Sequence, residues 1–292
     1  MMRKILLLIL AACGIVFSVA AQENSLLWKV SGKKTDSPSY LYGTIHIQAK
    51  EVFAFDELVY DKLSSCESLA VELLIDELDK DELRELMLME EGKLSDYLTD
   101  EEYAVLDSVM KKQTGQSLSL FGKMKPFFLS SQIMQTIMPV EMPMALDMHF
   151  IDTARKMNME LIALEEVSDQ IGAIDKMSIE EQCDMLMDQV SDIDNSMEKE
   201  FARLVRAYVD QNLDSLAVLT QDTALPEAFG EELIIKRNKG MARKIHKLMK
   251  KQTVFAAFGA AHLVGEEGVI ALLRKRGYTV EPVYYQFRTE AN

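Results

Sequence analysis

Two short stretches of the chain share one chemical form. Ser39–Ile47 reads SYLYGTIHI and Thr253–Gly268 reads TVFAAFGAAHLVGEEG, so each carries Gly-x-x-His after an apolar run: Gly43 to His46, and Gly259 to His262. A glycine there permits a tight turn and close backbone approach, and the histidine three residues on is held at the edge of a rigid element. One such motif says little, whereas two at opposite ends of a chain can bring two imidazoles into one site. Two imidazoles and a carboxylate make a metal site that keeps one position open for water. A metal so held lowers that water's pKa from about 15.7 to about 7 and polarises a carbonyl, which permits hydrolysis at neutral pH. Glu72, near the end of SLAVELL, is the first candidate carboxylate; Glu165 and Glu166, ending MELIALEE, follow as general base or as support for a ligand. The expected metal set is His46, Glu72 and His262, which suits Zn²⁺, Mn²⁺, Co²⁺ or Fe²⁺. A metal-free alternative stays open, in which His46 acts as a base on water beside Glu72. Arg237, next to Asn238 in an apolar-to-basic helix, has three readings: partner of a buried acid, receptor for a substrate carboxylate, or surface residue. His149 reads as a core-edge residue and His246, between Lys244 and Lys247, as part of a solvated face.

The elements that must position these side chains follow from periodicity. Leu26 to Val30 and Tyr40 to Gly43 predict a strand pair joined by the turn SGKKTDSPS. Phe55, Leu58, Val59 and Leu63 recur at helical spacing, and SLAVELL then reads as a buried strand carrying one acid. From Asp79 to about Gln113 the pattern gives two amphipathic helices, interrupted near Gly92 and restarted at a Thr99 cap. Pro126, Pro139 and Pro143 divide the Met-rich stretch that follows into short helical pieces, which either fill a core or form an adaptable lid. A helix with Leu146, Phe150, Ile151 and Ala154 on one side leads into the strand MELIALEE, and Ser178 to about Val209 reads as one long or broken helix. The helix around Arg237 carries its basic half at the C-terminal end, which suits the helix dipole. The strand TVFAAFG, a helix and the strand YTVEPVYY close the chain. Strands alternating with helices define an α/β fold with a mainly parallel or mixed sheet. It is built from two strand-GxxH-helix-strand half-motifs, the first ending in Val71-Glu72 and the second in Val280-Glu281, with a large helical insertion at about 79–145 and 175–230. Ligands of such sheets bind beyond the carboxyl ends of the strands, where both histidines are expected.

Residues 1–20 have the parts of an export signal: Arg3 and Lys4, the apolar run Ile5 to Phe17, and the small residues Ser18-Val19-Ala20. Its removal leaves residues 21–292 as one domain exported to the periplasm or cell envelope, or secreted. Leu10-Ala11-Ala12-Cys13 offers a second processing route, with lipid on Cys13 and peripheral membrane association. The formal charge is -15, and loss of Arg3 and Lys4 takes it to -17. No nucleic acid partner is expected of such an acidic chain, because phosphate neutralisation needs a basic face. Cys66 and Cys183 each lie in an apolar-periodic segment and read as buried free thiols.

At this level of detail the chain resembles the TraB/GumN family, bacterial relatives of the Wnt-cleaving TIKI metalloproteases. The resemblance rests on LWKVSG, YLYGTIHI, the Glu of LAVELL, ALDMHFIDTARKMNMELIALEE, IIKRNKGMARKI and VFAAFGAAHLVGEEGVIALLRKRGYTVEPV. It implies a TraB-like α/β domain with a divalent-metal hydrolase centre made of His46, Glu72 and His262, acting on a peptide or a small ester or amide. Asp147, Glu165, Arg237 and Asn238 fall on further motif positions of that family. Glu165 is expected as base or support, with Arg237 as its ionic partner or as a cation beside an oxyanion. The family is also similar to erythromycin esterases and to a haem-binding lipoprotein group. Two other functions therefore stay open: a non-catalytic envelope protein that holds metal or haem, and a metal-free esterase-like hydrolase.

Overall fold

Six apolar runs pair into a single mixed sheet. They are β1 (Leu27–Ser31), β2 (Ser39–Thr44), β3 (Ser68–Val71), β4 (Glu160–Ala163), β5 (Val254–Gly259) and β6 (Thr279–Pro282), in the spatial order β4-β3-β5-β2-β1-β6. The computed structural model describes residues 24–32, 37–193, 197–221 and 231–288. The expected export signal with its Cys13 alternative, and residues 222–230 of the expected insertion, lie outside the described residues. β4, β3, β5 and β2 run parallel, while β1 is antiparallel to both β2 and β6. Strands covered on both faces need continuous apolar sequence, and β5, inside the sheet, is buried from Val254 to Phe258.

Register decides where the two motifs leave the sheet. Gly43 lies opposite Phe258 and Thr44 opposite Gly259, so both Gly-x-x-His segments emerge side by side. β3 and β4 end in step with them, since the Leu164 N–H donates to the Val71 carbonyl at 2.7 Å and the Glu165 N–H to the Glu72 carbonyl at 3.0 Å. The half-motifs differ in where they return. The first passes through α1 (Leu58–Ser64) to β3 in the interior of the sheet; the second passes to β6 at the far edge, where Glu281 is exposed opposite Lys29. Glu281 is therefore no counterpart of Glu72.

Eleven α-helices lie among the described residues. After α1 come α2 (Lys80–Leu86), α3 (Asp100–Thr114), α4 (Pro126–Ile137), α5 (Leu146–Lys156) and α6 (Val167–Ile174). They are followed by α7 (Ile179–Asp192), α8 (Met197–Val209), α9 (Leu213–Gln221), α10 (Arg237–Leu248) and α11 (Val269–Lys275). Thr99 caps α3, its hydroxyl accepting from the Glu102 N–H while the Glu102 carboxylate accepts from the Thr99 N–H. The sequence from Ser178 to Val209 divides into α7 and α8, and α10 is preceded by a π-helical turn over Glu231–Lys236.

Two principal cores result. The main one packs Tyr42, Phe150 and Phe255 on the sheet together with Tyr208 of α8 and Leu213 and Leu216 of α9. The second is made by α3, α4 and α7, through Leu106, Met110, Leu129, Ile133, Cys183 and Leu186. Leu129 and Ile133 are fully buried, so α4 of the Met-rich stretch packs as core. Cys66 and Cys183 are buried free thiols in different cores, and burial pushes each up to about 12. Among the described residues no helix is long and apolar enough to cross a membrane.

Candidate functional site

The four parallel strands converge on one cluster of polar side chains at their carboxyl ends. Glu72 follows β3, Glu165 follows β4, His262 follows β5, and Arg237 reaches in from the first turn of α10. The Arg237 guanidinium joins the two acids. Nη2 donates to Glu72 Oε2 at 2.6 Å and to Glu165 Oε2 at 2.7 Å, and Nε donates to Glu165 Oε1 at 2.9 Å. Gln170, on α6, donates from Nε2 to Glu72 Oε2 at 3.3 Å and to Glu165 Oε2 at 3.1 Å. The other Glu72 oxygen, Oε1, accepts from the Gly259 N–H at 2.6 Å. Two carboxylates against one guanidinium leave the cluster with a net negative charge.

The motif glycines are required by close approach. A Cβ on Gly43 would meet Leu263 Cδ1 at 2.7 Å and the Ala260 backbone at 3.0 Å, so the first motif makes room for the second. A Cβ on Gly259 would sit 3.2 Å from Glu72 Oε1 and 3.5 Å from the His262 ring, so this glycine makes room for the carboxylate and the imidazole.

Each motif histidine is fixed through Nδ1. His262 is buried, and its Nδ1 lies 2.6 Å from Asn238 Oδ1. Asn238 Nδ2 donates to the Glu267 carbonyl at 2.9 Å; a carbonyl only accepts, so the amide orientation is set and its oxygen must face His262. His262 therefore carries its proton on Nδ1 and presents a bare lone pair at Nε2, 3.9 Å from Glu72 Oε1. Burial lowers the His262 pKa, Glu72 pulls it back up in part, and Arg237 adds to the lowering, so the ring is neutral at pH 7. His46 is arranged differently. Its side chain is 63% exposed, and its Nδ1 lies 2.9 Å from Asp147 Oδ2, while the other Asp147 oxygen accepts from the Thr44 hydroxyl. The hydrogen bond to Asp147 raises the His46 pKa against an opposing burial effect, with the charges of Asp147 and Glu72 adding to the rise. For Glu165, burial alone would raise the carboxyl, but Arg237 and Gln170 hold it below the usual range. Burial likewise opposes the Arg237 charge, and the two glutamates outweigh it.

Of the sequence-derived candidates, Glu72, Glu165, Arg237 and His262 meet in one cluster, and His46 stands at its rim beside Asp147. Among the described residues no group of three or more His, Cys, Asp and Glu is assembled around an ion position. The donors nevertheless have the chemistry a divalent metal needs. Each histidine has an oxygen acceptor on Nδ1, the arrangement that fixes the tautomer of metal-bound imidazoles. His262 Nε2 and Glu72 Oε1 are two electron-pair donors facing each other without a proton between them. Glu166 is exposed at the start of α6, outside the cluster, and the Asp169 carboxylate accepts from its N–H. His149 bonds the Tyr60 hydroxyl and His246 the Tyr278 hydroxyl, both away from the site. Gln170 is the member that sequence reasoning missed, because a lone Gln on an amphipathic helix carries no signal.

Two motif histidines, two glutamates and an arginine at the carboxyl ends of parallel strands define an α/β protein with a strand-end polar site, and comparison with known proteins gives its family. A sequence model of the TraB/PrgY/gumN family matches residues 26–282, and the chain belongs to that family. It is 26% identical to zebrafish (Danio rerio) metalloprotease TIKI1 over 88% of this chain and 63% of the relative. It is 24% identical to metalloprotease TIKI2 of Xenopus tropicalis over 88% of this chain and 60% of that protein. It is also 25% identical to the metalloprotease TIKI homolog of Amphimedon queenslandica over 89% and 62%. The chain thus spans about three fifths of the length of these curated relatives.

Proposed function

We propose that this protein is an exported, metal-dependent hydrolase of the cell envelope or periplasm, acting on peptide bonds. The observation that carries the proposal is the bare Nε2 of His262 facing the Glu72 carboxylate at 3.9 Å, with both motif histidines held through Nδ1. An electron pair and an anion held face to face repel each other, and a cation between them removes that repulsion. The names of the relatives, all metalloproteases, support the same reading. His262 and Glu72 would hold the metal from the sheet and His46 from the rim; when bound, the ion supplies Lewis acidity toward a carbonyl and toward water.

The other residues have distinct parts in this proposal. Asn238 and Asp147 fix the two imidazoles so that Nε2 of each faces outward from its hydrogen-bonded partner. Gly259 orients Glu72 through its N–H. Glu165 serves as support: both its oxygens accept from Arg237, and its lowered pKa makes it a weak base. Arg237 offsets part of the carboxylate charge and holds Glu72 at the end of β3. The test is hydrolysis of a peptide library by the mature protein. Activity lost on chelation and restored by Mn²⁺, Co²⁺ or Zn²⁺ is the expected outcome. The His46–Asp147 pair favours one second reading, a metal-free hydrolase in which His46 takes the proton from water. Activity that survives chelation and disappears in His46→Ala would establish that reading instead.

A further inference from the structure

The acidic chain has a basic cleft. Between α6 and α10 lies a cavity of about 760 Å³ whose walls carry Lys176, Lys236, Arg237, Arg243, Lys244 and Lys247 against two carboxylates, Glu165 and Asp169. Glu165 and Arg237 are committed to each other, and Asp169 accepts from the N–H of Glu166, so the cations that set the cleft's charge are the four lysines and Arg243. The helix dipole accounts for basic residues near the C-terminal end of α10. It does not account for their sharing one face. Positions 236, 240, 243, 244 and 247 follow helical spacing, so Gly240 and the cations line a single wall toward α6. Open space lies beside both walls, since a Cβ added at Gly172 or at Gly240 would meet no heavy atom within 4 Å.

We infer that this cleft binds an acidic peptide segment, the carboxylate-rich flank of the substrate. The inference rests on the peptidase reading for what happens next to the cleft, because Arg237 and Glu165 belong both to its wall and to the strand-end cluster. A chain of net charge -15 repels polyanions at long range, so capture of one must come from a local concentration of cations. The shape selects a chain rather than a surface: a concave space between two helices admits a peptide and excludes a flat bilayer. From Lys236, at the end of the π-helical turn, to Lys247 of α10 the wall runs roughly 16 Å, which an extended peptide covers in about five residues.

The experiment measures binding of fluorescein-labelled hexaglutamate to the metal-stripped mature protein by anisotropy, with no turnover required. Wild-type protein binds the peptide, and rising salt weakens the complex. Gly240→Glu and the Lys244→Gln/Lys247→Gln pair weaken it at least about tenfold, as expected when a local charge complement is removed. Gly240→Ala, which adds only a methyl group to open space, retains it. Absence of binding, or equal binding by Gly240→Glu and wild type, would overturn the inference. So would capture by phosphatidylglycerol vesicles without binding of the peptide, which would make the cleft a membrane contact. Because the protein is assayed without metal, failure here leaves the hydrolase proposal standing. Binding of hexaglutamate by a protein that hydrolyses no member of the peptide library, with or without added metal, removes the hydrolase proposal and leaves the cleft.

Discussion

At the scale of single residues, the decisive feature is a tautomer. The Glu267 carbonyl fixes the Asn238 amide, the amide fixes the proton on His262 Nδ1, and the lone pair is thereby left on Nε2 beside Glu72. Asn238→Leu removes that chain of constraint while keeping bulk. Loss of a partner of this kind costs about 10–100-fold in metal affinity, so calorimetric titration of the variant with Zn²⁺ should show a fall of that size. Unchanged affinity would mean that the hydrogen bond only packs the interior. The sequence exposed the histidines and Glu72 because each stands where an apolar strand pattern ends. Asn238 and Asp147 entered only through family resemblance. A polar residue on an amphipathic helix does not reveal its partner until the helix is docked, which is also why Gln170 left no trace.

At the scale of elements, glycines separate by what their space contains. Gly43 is closed in by Leu263 and Ala260, whereas Gly240 faces the open cleft. Gly43→Ala forces overpacking and should cost about 1–3 kcal/mol; Gly240→Ala, within a helix, should instead stabilise by roughly 0.5–1 kcal/mol. Urea midpoints moving in opposite directions are the expected result. The α5 side of the sheet allows a pH prediction as well. His149, half-buried and bonded to Tyr60, has its pKa lowered by burial. The unfolded chain therefore binds a proton there more readily than the folded one, and stability must rise with pH up to about 6.5, the unfolded value, and be flat above it. His149→Gln should make the acid-side loss of stability shallower below about pH 6.5; identical pH profiles would assign that loss to other groups. Helices α3 and α5 and all six strands were legible from periodicity and capping. The π-helical turn before α10 was not, since apolar spacing over six residues does not distinguish it from an ordinary helical turn.

For the whole molecule, the arrangement is a mixed sheet whose parallel strands hold a charged cluster at their carboxyl ends, with a second helical core beside it. The sheet order was not written in the sequence. β5, the last long strand to be made, inserts between β2 and β3, and only that insertion brings His262 next to Glu72. Arg237 then joins the two acids across β3 and β4. Breaking a buried pair leaves an uncompensated charge and typically costs about 3–5 kcal/mol, so Arg237→Met should lower the urea midpoint strongly. The double variant Arg237→Met/Glu165→Met should recover part of that loss; no recovery would show that Arg237 stabilises mainly through other contacts. The central claim, that His46, Glu72 and His262 together hold a divalent metal, is tested most directly by metal analysis. Mature wild-type protein and the His46→Ala/His262→Ala double variant, each loaded with Zn²⁺ or Mn²⁺ and dialysed, are compared by elemental measurement. The account predicts one metal ion per wild-type chain and essentially none in the double variant. Equal metal content in the two proteins would contradict it.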